Sequence, residues 1–464
     1  MATHRRRREM RLAGILFSFL LVGCGRPVDA TSDRETVLAA IKRFSGKYEL
    51  DKNHPDQPVI ELSLKSPYTK FNPLAPVWVS DEDLSVLSAL PKLKKLALHS
   101  KSVTAAGLAK LRGLTSLQSL ELEVDPIKVG PDAMAHLRGL TDLEDLNTNL
   151  DPTDDAMSNL EGLVKLRSLR IGGGRLTAAG IGRLKGMKEL QSLETRAAID
   201  DACLEHLKGL RKLHTLNADL SKVTDAGMPN LCALKELQSL DLNPQGPALG
   251  GKSVTDAGLA DIGNMTNLKR IRLPSHATDD ALRNMRPLVQ LQELDAESAK
   301  ITDAGLVHLR DMKDLQKLTL SDTRVTHAGI PHLKPLHRLE VLSLRKTTIA
   351  GEALEQLSRL ENLKTLHLDS TAIGDADLLH LKGLPNLKCL TISHTAITDA
   401  GLENLKRCPS LEDLTFVDTK ATDEGLRSLK ELPNLTRAFF SGCQVSKEGI
   451  AELRLAHPKA WIRD

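Results

Sequence analysis

A short phrase, Thr-Asp-Ala-Gly-Leu, returns along this chain at a nearly fixed interval, and that interval restricts the fold more than any other property of the sequence. With the threonine as anchor, equivalent positions fall at residues 80, 104, 130, 153, 177, 200, 224, 255, 278, 302, 326, 350, 374, 398, 422 and 446. Thirteen of the fifteen spacings are 23 or 24 residues, the exceptions being 26 (104 to 130) and 31 (224 to 255). The unit TDAGLENLKRCPSLEDLTF, opening at Thr398, carries apolar residues at offsets 4, 7, 10, 13, 16 and 18. One such unit cannot bury its apolar side alone, so neighbouring copies must stack on it and share a continuous core.

The closing part of each unit, L-x-x-L-x-L, resembles the leucine-rich repeat, and the resemblance covers residues 59–462. It implies an α/β fold: a right-handed solenoid of about 16 coils with a parallel sheet on the concave face and helices on the convex face. The T-D-A-G-L form is most similar to the repeats of F-box adaptor proteins, the cysteine-containing subclass. The F-box itself is missing, because residues 33–78 show no such helical module. Many leucine-rich repeats place Asn or Cys after the strand, where this chain has Thr323, Thr347, Thr371, Thr395, Thr419 and then Cys443. Hydroxyls there can bond backbone groups of the turn. Asp125, Asp151, Gly174 and Ala198 make that slot irregular in the first half, and looser turns are expected there.

The anchor reads as a helix start. Fifteen of the sixteen anchors are Ser, Thr, Asp or Gly, the residues that cap a helix N-terminus, and only Ala350 departs. Ten of the following residues are Asp, among them Asp225, Asp256, Asp303 and Asp399, whose charge suits the N-terminal end of a helix dipole. Nine of the residues three past the anchor are Gly, which permits close approach between coils.

The chain opens MATHRRRREMRLAGILFSFLLVGCGRP, with arginines ahead of an apolar run from Leu12 to Val22. That is the pattern of an export signal, and the run is too short for a transmembrane helix. Leu21-Val22-Gly23-Cys24 resembles the lipobox of bacterial lipoproteins. The resemblance implies cleavage before Cys24 and lipidation of its thiol, which would anchor the domain to an extracytoplasmic membrane surface. Gly25 in place of Asp resembles the outer-membrane sorting pattern of two-membrane bacteria. The domain reading is therefore 1–23 signal peptide, 24–32 tether, 33–78 N-terminal cap, and 79–464 repeats with a C-terminal cap.

Removing residues 1–23 takes away five arginines and Glu9, which turns the formal net charge of +3 into about −1. The mature chain thus lacks the basic excess of a nucleic-acid binder, and no nucleic acid is expected as partner. Outside the signal, every aromatic residue lies at an end. Phe44, Tyr48, Tyr68, Phe71 and Trp78 precede the repeats, and Phe416, Phe439, Phe440 and Trp461 close them. Bulky rings can plug the open ends of an aliphatic stack, while the offset of Phe439 turns it to the concave face. A helix carrying Val37, Leu38, Ile41 and Phe44, then a strand VIELSLK, fits an N-terminal cap. Apart from Cys24, the cysteines at 203, 232, 389, 408 and 443 include no C-x-x-C and read mostly as small apolar fillers.

No set of residues separates from the repeat background as an active site. His136, His206, His308, His332 and His380 share one offset on the convex side, without H-E-x-x-H or a paired-carboxylate spacing, so no metal is expected. IGGGRL at 171–176 reads as a turn. Gly246 to Ser253 spells G-x-x-x-x-G-K-S, the P-loop signature, with Gly246, Gly251, Lys252 and Ser253 as the nucleotide-binding alternative. Twelve residues, 243–254, stand there in place of the usual five, and the repeat puts the helix start at Thr255. Lys252 and Ser253 then belong to an inserted loop, not to the first turn of a helix, and the insertion becomes a candidate contact loop.

The concave face offers the better lead, since alternate strand residues point to it at offsets 15, 17 and 19. Glu121, Glu123, Asp145, Glu194, Arg196, Asp219, Arg270, Arg272, Asp295, Glu297, His367 and Asp369 are the candidate partner-binding residues. The expectation is a non-catalytic scaffold without cofactor, lipid-anchored outside the cytoplasm, that binds a protein or envelope polymer; nucleotide binding and a passive structural role are the alternatives.

Overall fold

Leucines spaced three residues apart line up on one side of a helix only if it winds at three residues per turn, which is the 3-10 geometry. The computed structural model, which describes residues 34–43, 46–65, 79–243 and 254–463, has this feature in many of its coils, while others, such as Asp201–Leu207 and Asp423–Leu429, are α alone. The helical side of each coil is a short α segment, a 3-10 segment, or one running into the other. Asp399–Asn404 is α and Leu405–Arg407 is 3-10, while Gly258–Asn264 and Asp377–Gly383 are 3-10 alone. The expected convex helices are thus present, most of them only one or two turns long and many of them 3-10.

The chain divides into two compact units, residues 1–150 and 151–464. In the first, a helix at Arg34–Arg43 buries Val37 and Ile41. Strand β1 (Lys47–Leu50) pairs antiparallel with β2 (Val59–Lys65), placing Tyr48 opposite Leu62. The β1 strand, Lys-Tyr-Glu-Leu, is an addition to the expected cap. Strands β3 (Lys95–Ser100), β4 (Ser119–Val124) and β5 (Asp145–Thr148) follow β2 in parallel.

In the second unit β6 (Ser168–Ile171), β7 (Ser192–Asp200) and β8 (Thr215–Lys222) pair in parallel. A ten-stranded sheet follows: β9 (Ser239–Asp241), β10 (Arg270–Arg272), β11 (Glu293–Asp295), β12 (Lys317–Thr319), β13 (Val341–Ser343), β14 (Thr365–His367), β15 (Cys389–Thr391), β16 (Asp413–Thr415), β17 (Arg437–Phe439) and β18 (Trp461–Arg463). The register never slips within it, so Ile271, Leu294, Leu318, Leu342, Leu366, Leu390, Leu414, Ala438 and Ile462 form one buried row. In the coil at Thr398 all six expected positions, Leu402, Leu405, Cys408, Leu411, Leu414 and Phe416, are buried. Phe416 and Phe440 stack with centroids 5.2 Å apart and are fully buried, as expected of a plug, whereas Trp461 is 49% exposed beneath the Arg463 guanidinium. Of the N-terminal aromatic residues, Phe44, Tyr68, Phe71 and Trp78 lie outside the described residues.

The recurrent Asp caps a helix, but the helix belongs to the next coil. Asp303 Oδ1 accepts the Thr326 N–H at 2.8 Å and its Oδ2 accepts the Thr326 hydroxyl at 2.6 Å. Asp81 with Thr104, Asp154 with Thr177, Asp201 with Thr224, Asp225 with Thr255, Asp256 with Thr278, Asp279 with Thr302, Asp375 with Thr398, Asp399 with Thr422 and Asp423 with Ser446 repeat the arrangement. The threonine oxygen meanwhile accepts an N–H of its own helix, as Thr398 does from Ala400 at 3.3 Å. Each Asp-Thr pair is thus a rung tying one helix start to the next. Partial burial opposes ionisation of Asp154, yet the hydrogen bonds from Thr177 and Gly180 hold its carboxyl below the usual range.

The glycine three past the anchor completes the rung. A β-carbon on Gly107 would lie 2.2 Å from Asp81 Oδ1, and one on Gly258 would lie 2.3 Å from Asp225 Oδ1. The carboxylate occupies the space that any side chain there would need.

The turn after each strand is equally regular in the later coils. Thr323, Thr347, Thr371 and Thr395 donate to the carbonyl three residues back at 2.5–2.6 Å, and Cys443 Sγ donates to the Phe416 carbonyl at 3.1 Å. The irregular slots at Asp125, Asp151 and Gly174 are bonded rather than loose, while at Ala198 the strand register shifts. Asp125 accepts the Ile127 N–H at 3.1 Å, and Asp151 accepts the Gly173 and Gly174 N–H groups at 2.6 and 2.9 Å.

Candidate functional site

Each strand turns one residue inward and its neighbours outward, so the face away from the helices carries columns of polar side chains at offsets 15, 17 and 19. All twelve candidate residues are exposed or half-buried.

In the first unit, His99 lies between two of them, with Nε2 3.0 Å from Glu121 Oε1 and Nδ1 3.2 Å from Glu123 Oε2. Asp145 accepts the Ser119 hydroxyl at 3.1 Å. Lys95 and Glu61 pair nearby on β3 and β2 at 2.5 Å, and this carboxylate raises the Lys95 pKa.

In the second unit, Glu194 meets Arg170 at 3.6 Å, while Arg196 is exposed with its N–H bonded to the Gly172 carbonyl at 2.9 Å. Asp219 accepts the Ser221 N–H at 2.9 Å, which gives it a part in its own turn. Arg272 sits among three carboxylates, 3.4 Å from Asp295, 3.9 Å from Glu297 and 4.0 Å from Asp241. Arg270 reaches the Ser239 hydroxyl at 3.4 Å. A shallow depression forms over these strands, lined by Asp241, Arg270, Arg272, Glu293, Asp295 and Lys317.

His367 and Asp369 belong to a tighter cluster. Asp369 Oδ2 receives Arg345 Nε at 2.7 Å and the Thr391 hydroxyl at 2.5 Å, and its Oδ1 receives the Ser393 N–H at 2.8 Å. His367 Nδ1 lies 3.1 Å from Arg345 Nη2 and 3.0 Å from Thr391 Oγ1. Burial, and then the Arg345 charge, push the imidazole pKa down to about 4 against the pull of Asp369. His367 is therefore neutral at physiological pH and acts as a hydrogen-bonding group, not a cation.

Sequence reasoning missed several members of this face: His99, Arg345, Thr391, Lys317 and the pair Arg437 and Asp413, whose Nε and Oδ1 are 2.5 Å apart. The signal was present, since Arg345 stands at offset 19 and Asp413 and Arg437 at offset 15 of their coils. Phe439 is half-buried on the outward side of β17, where its offset placed it.

Gly246, Gly251, Lys252 and Ser253 lie outside the described residues, as does Cys24. The residues bounding that loop are held as in any other coil. Leu242 donates to the Arg272 carbonyl at 3.0 Å, Val254 is buried, and Thr255 forms its rung with Asp225 at 2.6 and 2.7 Å.

The five convex histidines are half-buried, one per coil. His332 lies 2.6 Å from Arg310 of the preceding coil, and His136 and His308 likewise feel Arg112 and Arg286. Burial first, then these cations, lower all three pKa values. Cys203, Cys232 and Cys408 are buried, and desolvation lifts their thiols to about 11. Cys389 and Cys443 are half-buried, so the filler reading holds for three of the five.

A family model described as a leucine-rich repeat region matches residues 102–328. The parallel one-strand-per-coil sheet extends the same pattern to β18. The chain has the leucine-rich-repeat fold. Among solved structures, this leucine-rich-repeat chain is similar to an internalin of Listeria monocytogenes, at 18% identity over 85% of this chain and 98% of that one, with a TM-score of 0.52. A leucine-rich-repeat protein of Leptospira interrogans is similar at 19% identity over 82% and 92%, with a TM-score of 0.53. The Arabidopsis receptor kinase HAESA, solved with a peptide hormone and a co-receptor, is similar at 16% identity over 89% and 74%, with a TM-score of 0.50. At these identities the likeness is one of fold. No curated protein matches the sequence significantly. Among the described residues no helix is long and apolar enough to cross a membrane.

Proposed function

We propose that this protein is a non-catalytic binding scaffold, exported and lipid-anchored through Cys24, that recognises a protein or an envelope polymer on the outward face of its strands. The observation that carries this reading is the face itself. Arg272 among Asp241, Asp295 and Glu297, and His99 against Glu121 and Glu123, form polar columns that the repeat holds at fixed spacing. Ion pairs of this kind, half-exposed, add little to stability and give a surface its specificity and its choice of partner. The HAESA structure, with its bound peptide hormone, illustrates what a stacked repeat surface can do in another protein. Glu194, Arg196, Asp145, Asp219, Arg270, His367 and Asp369 complete the proposed contact set, and the inserted loop at 243–253 is proposed as a further contact.

The test is affinity capture of the mature protein from envelope extracts, compared with a variant carrying Glu121→Lys, Asp219→Lys and Arg272→Glu. A discrete partner retained by the natural face and lost from the reversed one supports the proposal. Abundant protein with no discrete partner, and no effect of reversal, would make it a passive envelope component instead. Palmitate labelling that disappears in Cys24→Ser tests the anchor separately.

A further inference from the structure

The carboxylate rungs of the second unit fail on both sides of a single coil, the one that opens at Ala350. His327 stands where the preceding coil should present its Asp, and Ala350 has no hydroxyl to receive it, so this helix start lacks a side-chain cap. Gly351 stands where this coil should present its own Asp, and the following anchor is Gly374. The Gly374 N–H turns instead to Asp377 of its own coil, at 2.7 Å, and that carboxylate packs back against Gly351, where a β-carbon would lie 1.9 Å from Oδ1, so the second boundary keeps a packing contact but no hydrogen-bonded rung. Across the first boundary only an exposed contact remains on that ridge, His327 Nε2 to Glu352 Oε2 at 3.1 Å. The boundary between the coils at 177 and 200 also lacks a rung, since Ala178 replaces Asp, but there β7 and β8 pair over a longer stretch than the three-residue strands beyond them. At 350 the strands β13, β14 and β15 are three residues each, so no such compensation exists.

The compensation lies on the opposite side of the stack. Asp369, in the coil at 350, receives Arg345 from the coil before it and both Thr391 and Ser393 from the coil after it, at 2.7, 2.5 and 2.8 Å. It thereby ties three successive coils with charge-assisted hydrogen bonds, as the rungs do elsewhere from the helix side. We propose that residues 350–373 form a joint in the second unit, latched from the strand face by Asp369 and its partners Arg345 and Thr391. In a stack whose cohesion is a sum of nearest-neighbour terms, the boundary with the fewest ties opens first, and here the remaining tie is on the outward strand face. The inference rests on the fold alone and stands whether or not that face binds a partner.

Hydrogen exchange of the full-length protein, read by mass spectrometry, tests it. Asp369→Asn is expected to speed exchange about tenfold or more at amides of 345–373, with those of the coils at 278 and 422 unchanged, because sub-global opening is confined to the weakest boundary. Asp295→Asn, on the same face between coils with intact rungs, is expected to leave exchange unchanged. The triple variant His327→Asp, Ala350→Thr, Ala353→Gly rebuilds the first rung, and in it Asp369→Asn is expected to have a much smaller effect. Thr391→Val, which deletes one tie and keeps the charge, serves if Asp369→Asn does not fold. Exchange that rises evenly through the unit, fails to rise at 345–373, or rises equally in the rebuilt background would overturn the joint.

Discussion

Asp399 Oδ1 lies 2.6 Å from the point where a β-carbon on Gly425 would stand, and it accepts the Gly425 N–H at 3.0 Å. The two positions are 26 residues apart in sequence and act as one unit. Asp399→Ala strands the Thr422 N–H and hydroxyl and is expected to destabilise by about 2–4 kcal/mol. Gly425→Ala drives a methyl into the carboxylate and is expected to cost a similar amount. The double variant should lose clearly less than the two single losses added, because the methyl then meets no carboxylate. Urea unfolding of the four proteins measures the cycle, and simple additivity would contradict the rung.

A second expectation concerns acid. The folded pKa of His367, about 4, lies below its ordinary value of 6.5, so as pH falls between these values the unfolded chain takes up a proton that the folded chain refuses. Stability from this group is complete above pH 6.5 and is lost as pH drops toward 4, by at most about 3.5 kcal/mol since one pKa unit is worth about 1.4. His367→Gln should flatten the stability profile across that window, and an NMR titration of the imidazole should show the low midpoint.

The backbone just before the turn threonines gives a third. Asp322, Lys346, Ser370, His394 and Asp418 all have φ near +50°, between 49° and 56°, a region that costs a residue with a β-carbon about 1–2 kcal/mol. The next equivalent position is Gly442, at φ 74°. Lys346→Gly should therefore be neutral or stabilising by up to about 1 kcal/mol, the added freedom of the unfolded chain offsetting part of the relief. Gly442→Ala should destabilise by more than about 1 kcal/mol, since the new carbon would also meet Asp418 Oδ1 at 1.9 Å. Thermal unfolding of the two variants decides the signs.

What the sequence made legible, and what it did not, divides along one physical line. Positions that depend on periodicity alone could be read. Leu402 to Phe416 are buried at the offsets where apolar residues recur, and the candidate residues from Glu121 to Asp369 point outward where strand alternation puts them. Contacts between coils could not be read in the same way. The Asp after each anchor looks like a cap for its own helix, because a lone sequence contains no sign that Asp303 serves Thr326. His367 was singled out, but its neutral state depends on Arg345 and on burial, neither of which an offset reports. The three-residue spacing of the leucines did contain the 3-10 geometry, since a period of 3.0 differs from the 3.6 of an α-helix.

The last expectation concerns Gly246 to Ser253. Phosphate binding by a P-loop needs the Lys and the hydroxyl residue at the first turn of a helix, where free N–H groups and the dipole converge on the anion. Here Thr255 is bound to Asp225 through both its N–H and its hydroxyl, and the Ala257 N–H goes to Thr255 Oγ1 at 3.3 Å. The helix start is therefore already capped by protein groups, and a carboxylate stands at the place where a phosphate would have to approach. Lys252 and Ser253 precede this point in the chain. Calorimetric titration of the mature protein with ATP or GTP and magnesium is expected to show no saturable heat, and Asp225→Ala, which frees the Thr255 N–H, is expected to create none. Saturable binding that disappears in Lys252→Ala would contradict this and restore the loop as a nucleotide site.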